Sequence, residues 1–300
     1  MDSDTLATTS ELLAAASGFC LTVEQRALLP SALKILKSEH AFAKVYYWGK
    51  IQGLSSDYLI AMGLGSKEIS YKDESLKTCG EITVAEFFDT LKLFKKKFFR
   101  LGPDGVSWTV LPDVDEEVKK KYSEWSSSLK KKGTVFTPLK GDASHKYEYT
   151  VGEETKELSE DERVAFMVQE IDEECSVVPV GSFVLNSSQR VIVNPYYKGL
   201  DLSAAVRLDS YMHLRKPRTT PALPVAERSA LKKSTQFLDF IANDQPKGCW
   251  SLKHDPSSSL VVLRSLSFPG FVHFNAVDSP VHGAIYNGTG ARNFDLPFML

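Results

Sequence analysis

The amino-acid sequence predicts an α+β fold with N-terminal helices, a mainly antiparallel sheet and a C-terminal β-meander. Three observations carry that reading. Residues 22–36 begin with a Thr-x-x-Gln capping box and place Leu29, Leu33 and Leu36 on one helical face. Residues 45–51 and 58–62 are aromatic and β-branched runs separated by Ser55-Ser56-Asp57, the pattern of a hairpin. The last fifty residues repeat the strand signal four times, at 249–254, 260–266, 271–276 and 281–286, with Asp-Pro-Ser, Phe-Pro-Gly and Asp-Ser-Pro turns between. Strands grouped in this way, rather than alternating with helices, argue against a doubly wound parallel sheet.

The remaining elements follow in chain order. Residues 5–16 are Ala- and Leu-rich and suit a first helix, while Pro30 should kink or divide the second. A second hairpin is expected at 98–101 and 106–111 around the turn Gly102-Pro103-Asp104-Gly105. The stretch 65–140 carries lysine runs at 95–97, 119–121 and 130–132 mixed with acids, and reads as solvated surface in a loose, divergent insertion. Residues 159–175 form the clearest amphipathic helix, with Val164, Met167, Val168, Ile171 and Cys175 on the apolar side and acids opposite. Strands at 177–185 and 191–193 and a helix over 201–214 come next. Pro217, Pro221 and Pro224 mark an extended arm at 215–225. The chain is expected to form a single unit over 1–300.

Composition narrows the function. With 43% hydrophobic and 25% charged residues the chain can bury a substantial core, and 36 basic against 38 acidic side chains create no field that would draw it to nucleic acid or membrane. Asp2, Asp4 and Glu11 occupy the place of a basic signal-peptide region, and the apolar run at 14–16 is short, so a secretory signal is not expected. Cys20, Cys79, Cys175 and Cys249 show no zinc or redox spacing and read as reduced cytosolic thiols. The N-x-S/T matches at Asn186 and Asn287 are taken as chance.

Each catalytic pattern meets a plainer explanation. The six histidines form no metal-helix motif, although His254, His273 and His282 could approach one another across the meander. Asp113, Asp115, Glu117 and Glu124 have EF-hand spacing, but Val118 stands where the turn glycine belongs. The pairs Gly63/Gly65 and Gly288/Gly290 lack the third glycine of a dinucleotide loop. The segment 92–100, Lys-Leu-Phe-Lys-Lys-Lys-Phe-Phe-Arg, has the composition of a calmodulin or acidic-surface ligand, or of a helix end running into a strand. No catalytic, cofactor or metal residue is therefore assigned.

Longer blocks carry a resemblance. They include Val-Tyr-Tyr-Trp-Gly-Lys-Ile-Gln-Gly-Leu at 45–54, Tyr147-Glu148-Tyr149, Ile171-Asp172, Val178-Pro179 and Gly199-Leu200. Pro-Lys-Gly-Cys-Trp-Ser at 246–251, Val-Val-Leu-Arg-Ser-Leu at 261–266, Gly288-Thr289-Gly290 and the ending Asp-Leu-Pro-Phe-Met-Leu at 295–300 continue it. In these blocks the chain resembles the radial spoke head protein 9 family, over about 28–64 and 141–300, with 65–140 departing. The resemblance implies a non-enzymatic scaffold without cofactor in the radial spoke head of the ciliary or flagellar axoneme. It further implies larger head proteins of the four/six type as partners, the central pair apparatus nearby and signal transmission toward the dynein arms. Trp48, Tyr58, Trp250, Leu296, Phe298, Met299 and Leu300 are the candidate partner contacts, the last four as an extended apolar segment fixed by Pro297. The rival readings are an adaptor using 92–100 and an enzyme whose site is scattered through the sequence.

Overall fold

A computed structural model describes residues 6, 21–40, 42–66, 96–131, 134, 136–151, 154–185, 191–220, 223–231 and 234–299. The expected helix at 5–16 lies outside these residues, apart from Leu6. So do Cys20, Cys79, Asn186, Pro221, Leu300 and residues 92–95 of the basic segment.

The first described helix, α1 (Val23–Glu39), starts at Thr22, whose hydroxyl accepts from the Gln25 amide while the Gln25 side chain accepts from the Thr22 amide. It runs unbroken through Pro30, so the expected division does not occur. An interior proline costs about 3 kcal/mol. Full burial of Leu29, Leu33 and Leu36, at about 1.5–3 kcal/mol each, outweighs that cost.

The strands β1 (Phe42–Ile51), β2 (Tyr58–Ser66), β3 (Lys96–Leu101) and β4 (Trp108–Val110) form the two expected hairpins. The meander follows much later as β11 (Trp250–Asp255), β12 (Leu260–Ser265), β13 (Phe271–Ala276) and β14 (His282–Gly288). All eight belong to one sheet, ordered β11-β12-β13-β14-β1-β2-β3-β4. Every neighbouring pair is antiparallel except β1 with β14, which run parallel through Gly49↔Tyr286, Lys50↔Asn287 and Ile51↔Gly288. Gly49 sits at a bulge with φ +153°, and a Cβ there would come within 2.2 Å of the Tyr286 carbonyl oxygen. Only glycine permits this seam.

Helices cover both faces. On one, α1 buries its leucines against Val45, Tyr47, Ala61, Phe99, Val262 and Phe274. On the other lies α3 (Glu160–Cys175), which sets Val164, Met167, Val168, Ile171 and Cys175 against Trp48, Ile51, Ile60, Leu263, Phe271 and Tyr286. Its expected polar face is not wholly solvated, because Glu160, Arg163 and Asp172 are buried. Within the lysine-rich stretch, residues 96–131 are described. They supply β3, β4 and α2 (Glu116–Lys131), and α2 packs Trp125 on the hairpin of β5 (Lys146–Val151) and β6 (Glu154–Ser159). Since Glu116–Lys131 is helical, the EF-hand spacing does not form a loop.

A smaller layer holds β7 (Val177–Pro179) and the pair β8 (Phe183–Leu185) and β9 (Val191–Val193). The helix expected over 201–214 is reduced to α4 (Leu202–Ala205), a 3₁₀ turn at Leu208–Ser210 and β10 (Tyr211–His213). Two constraints override helical propensity: Tyr211, Met212 and His213 pair with β7, and the buried Tyr211 hydroxyl donates to the Ala205 carbonyl. The proline-containing arm leads to a short helix, α5 (Val225–Ala230), and α6 (Leu296–Met299) follows the meander.

Ile171 is fully buried, whereas Glu174 is a third exposed on its side chain. Ile171→Ala should therefore cost about 2–5 kcal/mol. Glu174→Ala should cost under about 1 kcal/mol. Urea unfolding followed by circular dichroism would measure both, and equal losses would show that the inner face is wrongly assigned.

Candidate assembly interface and the polar hubs behind it

The buried acids on α3 organise the polar interior. Glu160 is 0% exposed. Its carboxylate accepts from the Tyr58 hydroxyl at 2.6 Å, the Tyr147 hydroxyl at 2.6 Å and the amides of Lys140, Gly141 and Asp142 at 3.0, 2.7 and 3.2 Å. Burial alone would raise the Glu160 pKa, but the bonds from Tyr147, Tyr58 and the backbone hold it below the ordinary glutamate value. The β2 strand, the β5 strand and the 139–142 loop are thus fastened to the N-terminus of α3, where the helix dipole also favours the charge.

Three further hubs follow the same logic. Asp172 accepts from the Trp48 indole at 3.3 Å and pairs with Lys96 at 2.5 Å, joining α3 to β1 and β3. Arg163 lies against the rings of Trp125 and Tyr147, 4.6 and 5.1 Å from their centroids, and donates to the Thr137 carbonyl. Asp239 accepts from the backbone amides of Arg218, Thr219 and Thr220, which ties down the start of the proline arm. None of the hub acids was legible in the sequence. Inside a Ser159-x-x-Glu162 cap Glu160 looks like an ordinary solvated first-turn acid, and only tertiary packing, with Tyr58 102 positions away and Tyr147 and the 140–142 amides 13 to 20 positions away, turns it inward.

The sequence-derived contact residues separate into two groups. Trp48, Tyr58 and Trp250 are buried at 8%, 5% and 8% exposure. Their polar atoms point inward, to Asp172, Glu160 and Asp244 respectively. They are tied into the fold by these bonds and expose little of their surface. The ending is not extended as expected. Pro297 occupies a helical turn, where its missing amide is tolerated. That turn buries Leu296 at 4% and exposes Phe298 at 90% and Met299 at 70%, beside the half-exposed Phe294, whose ring lies 5.4 Å from the Lys130 ammonium. Phe294, Phe298 and Met299 are thus exposed large apolar side chains near the described end of the chain.

The two described thiols and one groove acid are suppressed or paired. Burial pushes the Cys175 thiol up and the Cys249 thiol to about 11, away from a reactive thiolate. A groove of about 400 Å³ beside α3 contains Asp172 and Lys96, which neutralise each other. Lys96–Leu101 is a sheet strand, not the amphipathic helix a calmodulin ligand would form. His273 and His282 do approach, with ring centroids 6.0 Å apart, while no set of three or more His, Cys, Asp or Glu side chains arranged for a metal occurs among the described residues.

No family model matches the chain. It is 36% identical to the radial spoke head protein 9 homolog of Danio rerio, 32% to that of Mus musculus and 31% to that of Homo sapiens, each alignment covering 100% of both chains. The chain belongs to the radial spoke head protein 9 family. The family match therefore also spans 65–140, which the quoted blocks had left out.

Two stability predictions follow from the hubs. Glu160→Ala removes the acceptor of two buried hydroxyls and three part-buried amides and should cost about 3 kcal/mol or more, while Glu160→Gln, which keeps one acceptor, should cost less. Thermal denaturation of the two variants would check the order. His273 and His282 behave oppositely to the acids. Burial, aided for His282 by the Lys44 charge, lowers both from 6.5, His282 to about 4. They stay neutral when folded and protonate when unfolded, so stability present above pH 6.5 should fall steadily toward pH 4. Urea midpoints across that window should drop, and His282→Asn should flatten the slope.

Proposed function

We propose that this chain is a non-enzymatic structural subunit of the radial spoke head in the axoneme of motile cilia or flagella. The observation that carries the proposal is the end-to-end similarity to proteins named radial spoke head protein 9 homolog. The molecule supports it in a specific way. Its interior charges are consumed in joining distant strands, and its C-terminal turn offers aromatic and thioether side chains to another protein. In this reading the chain helps assemble the head beside larger subunits of the four/six type, close to the central pair apparatus. It passes mechanical signals from there toward the dynein arms.

The test is affinity purification of the tagged chain from isolated axonemes. Stoichiometric spoke-head proteins in the eluate, with heads missing from tomograms of cells lacking the chain, are the expected outcome. Intact heads in those cells would refute the proposal. Phe298→Asp with Met299→Asp should leave the melting temperature within about 1 °C, because both side chains are exposed, yet reduce head-protein recovery.

A further inference from the structure

After β10 the chain runs as an arm outside every helix and strand, with the sequence Arg215-Lys216-Pro217-Arg218-Thr219. One buried carboxylate gathers the end of this arm. Asp239, 2% exposed, accepts from the amides of Arg218 at 2.6 Å, Thr219 at 3.1 Å and Thr220 at 2.7 Å, and from the Thr220 hydroxyl at 2.7 Å. Burial would raise the Asp239 pKa, but these donors, with the Thr219 side chain among them, hold it below the ordinary aspartate value. The latch therefore consists of an anion at Asp239 and hydrogen-bond donors facing it.

Thr219 is the accessible member of this latch: it is exposed, whereas Thr220 is buried at 3%. Three of the four residues before it are cations, Arg215, Lys216 and Arg218. Arg218 bridges to Glu173 and Glu174 at 2.7 and 2.9 Å with half of its side chain open to water, and Arg215 stands 3.8 Å from Asp239. Pairs as exposed as those of Arg218 contribute little and exchange readily for another acidic partner. A run of cations leading to an exposed hydroxyl, outside regular secondary structure, complements the acidic cleft of an arginine-directed protein kinase.

We propose that Thr219 is a phosphorylation site for a serine/threonine kinase that selects basic residues upstream, and that the phosphate opens the arm by driving it off Asp239. In the transfer the Thr219 oxygen bonds to the γ-phosphorus of ATP, the bond from that phosphorus to the β–γ bridging oxygen breaks, and the hydroxyl proton passes to the base of the kinase. Phosphothreonine and ADP are the products. Two changes then meet at the latch. The Thr219 side chain loses the proton it donates to Asp239, and a group carrying about −1.5 to −2 charges arrives beside an ionised, buried carboxylate. Arg215, Arg218 and Arg292 line the same cleft as Thr219, whose acids Glu174 and Asp244 are already bonded to Arg218 and to the His213 and Trp250 rings. The guanidinium groups give the displaced phosphate a new seat. The inference is independent of the spoke-head assignment.

The test treats the full chain with a purified arginine-directed kinase and magnesium ATP. Tandem mass spectrometry should place phosphate on Thr219 and leave the buried Thr220 unmodified. Amide hydrogen exchange at Arg218, Thr219 and Thr220 should quicken by on the order of tenfold in the phosphorylated chain, while that of α3 is unchanged. In Thr219→Ala the same amides should not respond to kinase treatment. Asp239→Asn, which weakens the latch, should speed the modification; if that variant does not fold, exchange in the phosphorylated against the unmodified natural chain still decides. A chain that takes no phosphate at Thr219, or takes it there without faster exchange at 218–220, overturns the proposal.

Discussion

The parallel pairing of β1 with β14 is the constraint on which the rest of the molecule depends. It joins an N-terminal hairpin to a C-terminal meander and so turns two four-stranded pieces into one eight-stranded sheet. A four-stranded piece could offer α1 or α3 only part of the apolar surface each now covers. On the α1 side the leucines share one buried cluster with residues of both pieces, Val45 and Phe99 from one and Val262 and Phe274 from the other. On the α3 side the same holds for Ile51 and Ile60 against Leu263 and Phe271. The seam therefore creates both cores at once. Gly49 permits it, and Gly290 assists at the far end of β14: its φ is +80°, and a Cβ would come within 1.7 Å of the Met167 methyl carbon of α3.

One polar hub lies beside this seam. Trp48 precedes the bulge and donates to Asp172, and Tyr286 stacks near Trp48 while accepting from the Gly290 amide. A carboxylate buried with several donors is costly to disturb and specific about what may surround it, so such hubs fix register and orientation where apolar contacts would tolerate sliding. Among the described residues of the C-terminal turn Leu296 is the buried one, while Phe298 and Met299 are exposed.

Local patterns were legible in the sequence and long-range ones were not. The Thr22 capping box, the two hairpins, the amphipathic helix and all four meander strands follow from spacing and turn chemistry, and each stands within a few residues of its expected place. What failed depended on distant partners. Residues 211–213 became a strand because β7 was there to pair with them, and Pro30 was absorbed because a sheet lay beneath the helix. Trp48, Tyr58 and Trp250 have the aromatic character of interface residues, but the acids that claim their polar atoms cannot be seen from their neighbours in the chain.

The seam has a consequence for how the polypeptide reaches this state during synthesis. Residues 49–51 wait for partners at 286–288, so the strand that closes the sheet leaves the ribosome more than 200 residues after the one it joins. Until then β1 has a bare flank, and both apolar faces of the early hairpin are only partly covered. Loop closure over such a separation is slow compared with local pairing. The nascent chain therefore passes through an interval in which an unpaired strand and open hydrophobic surface coexist, the combination that favours wrong pairing between neighbouring chains. In a molecule built in this order, the time the last strand takes to arrive sets how long that exposed state lasts.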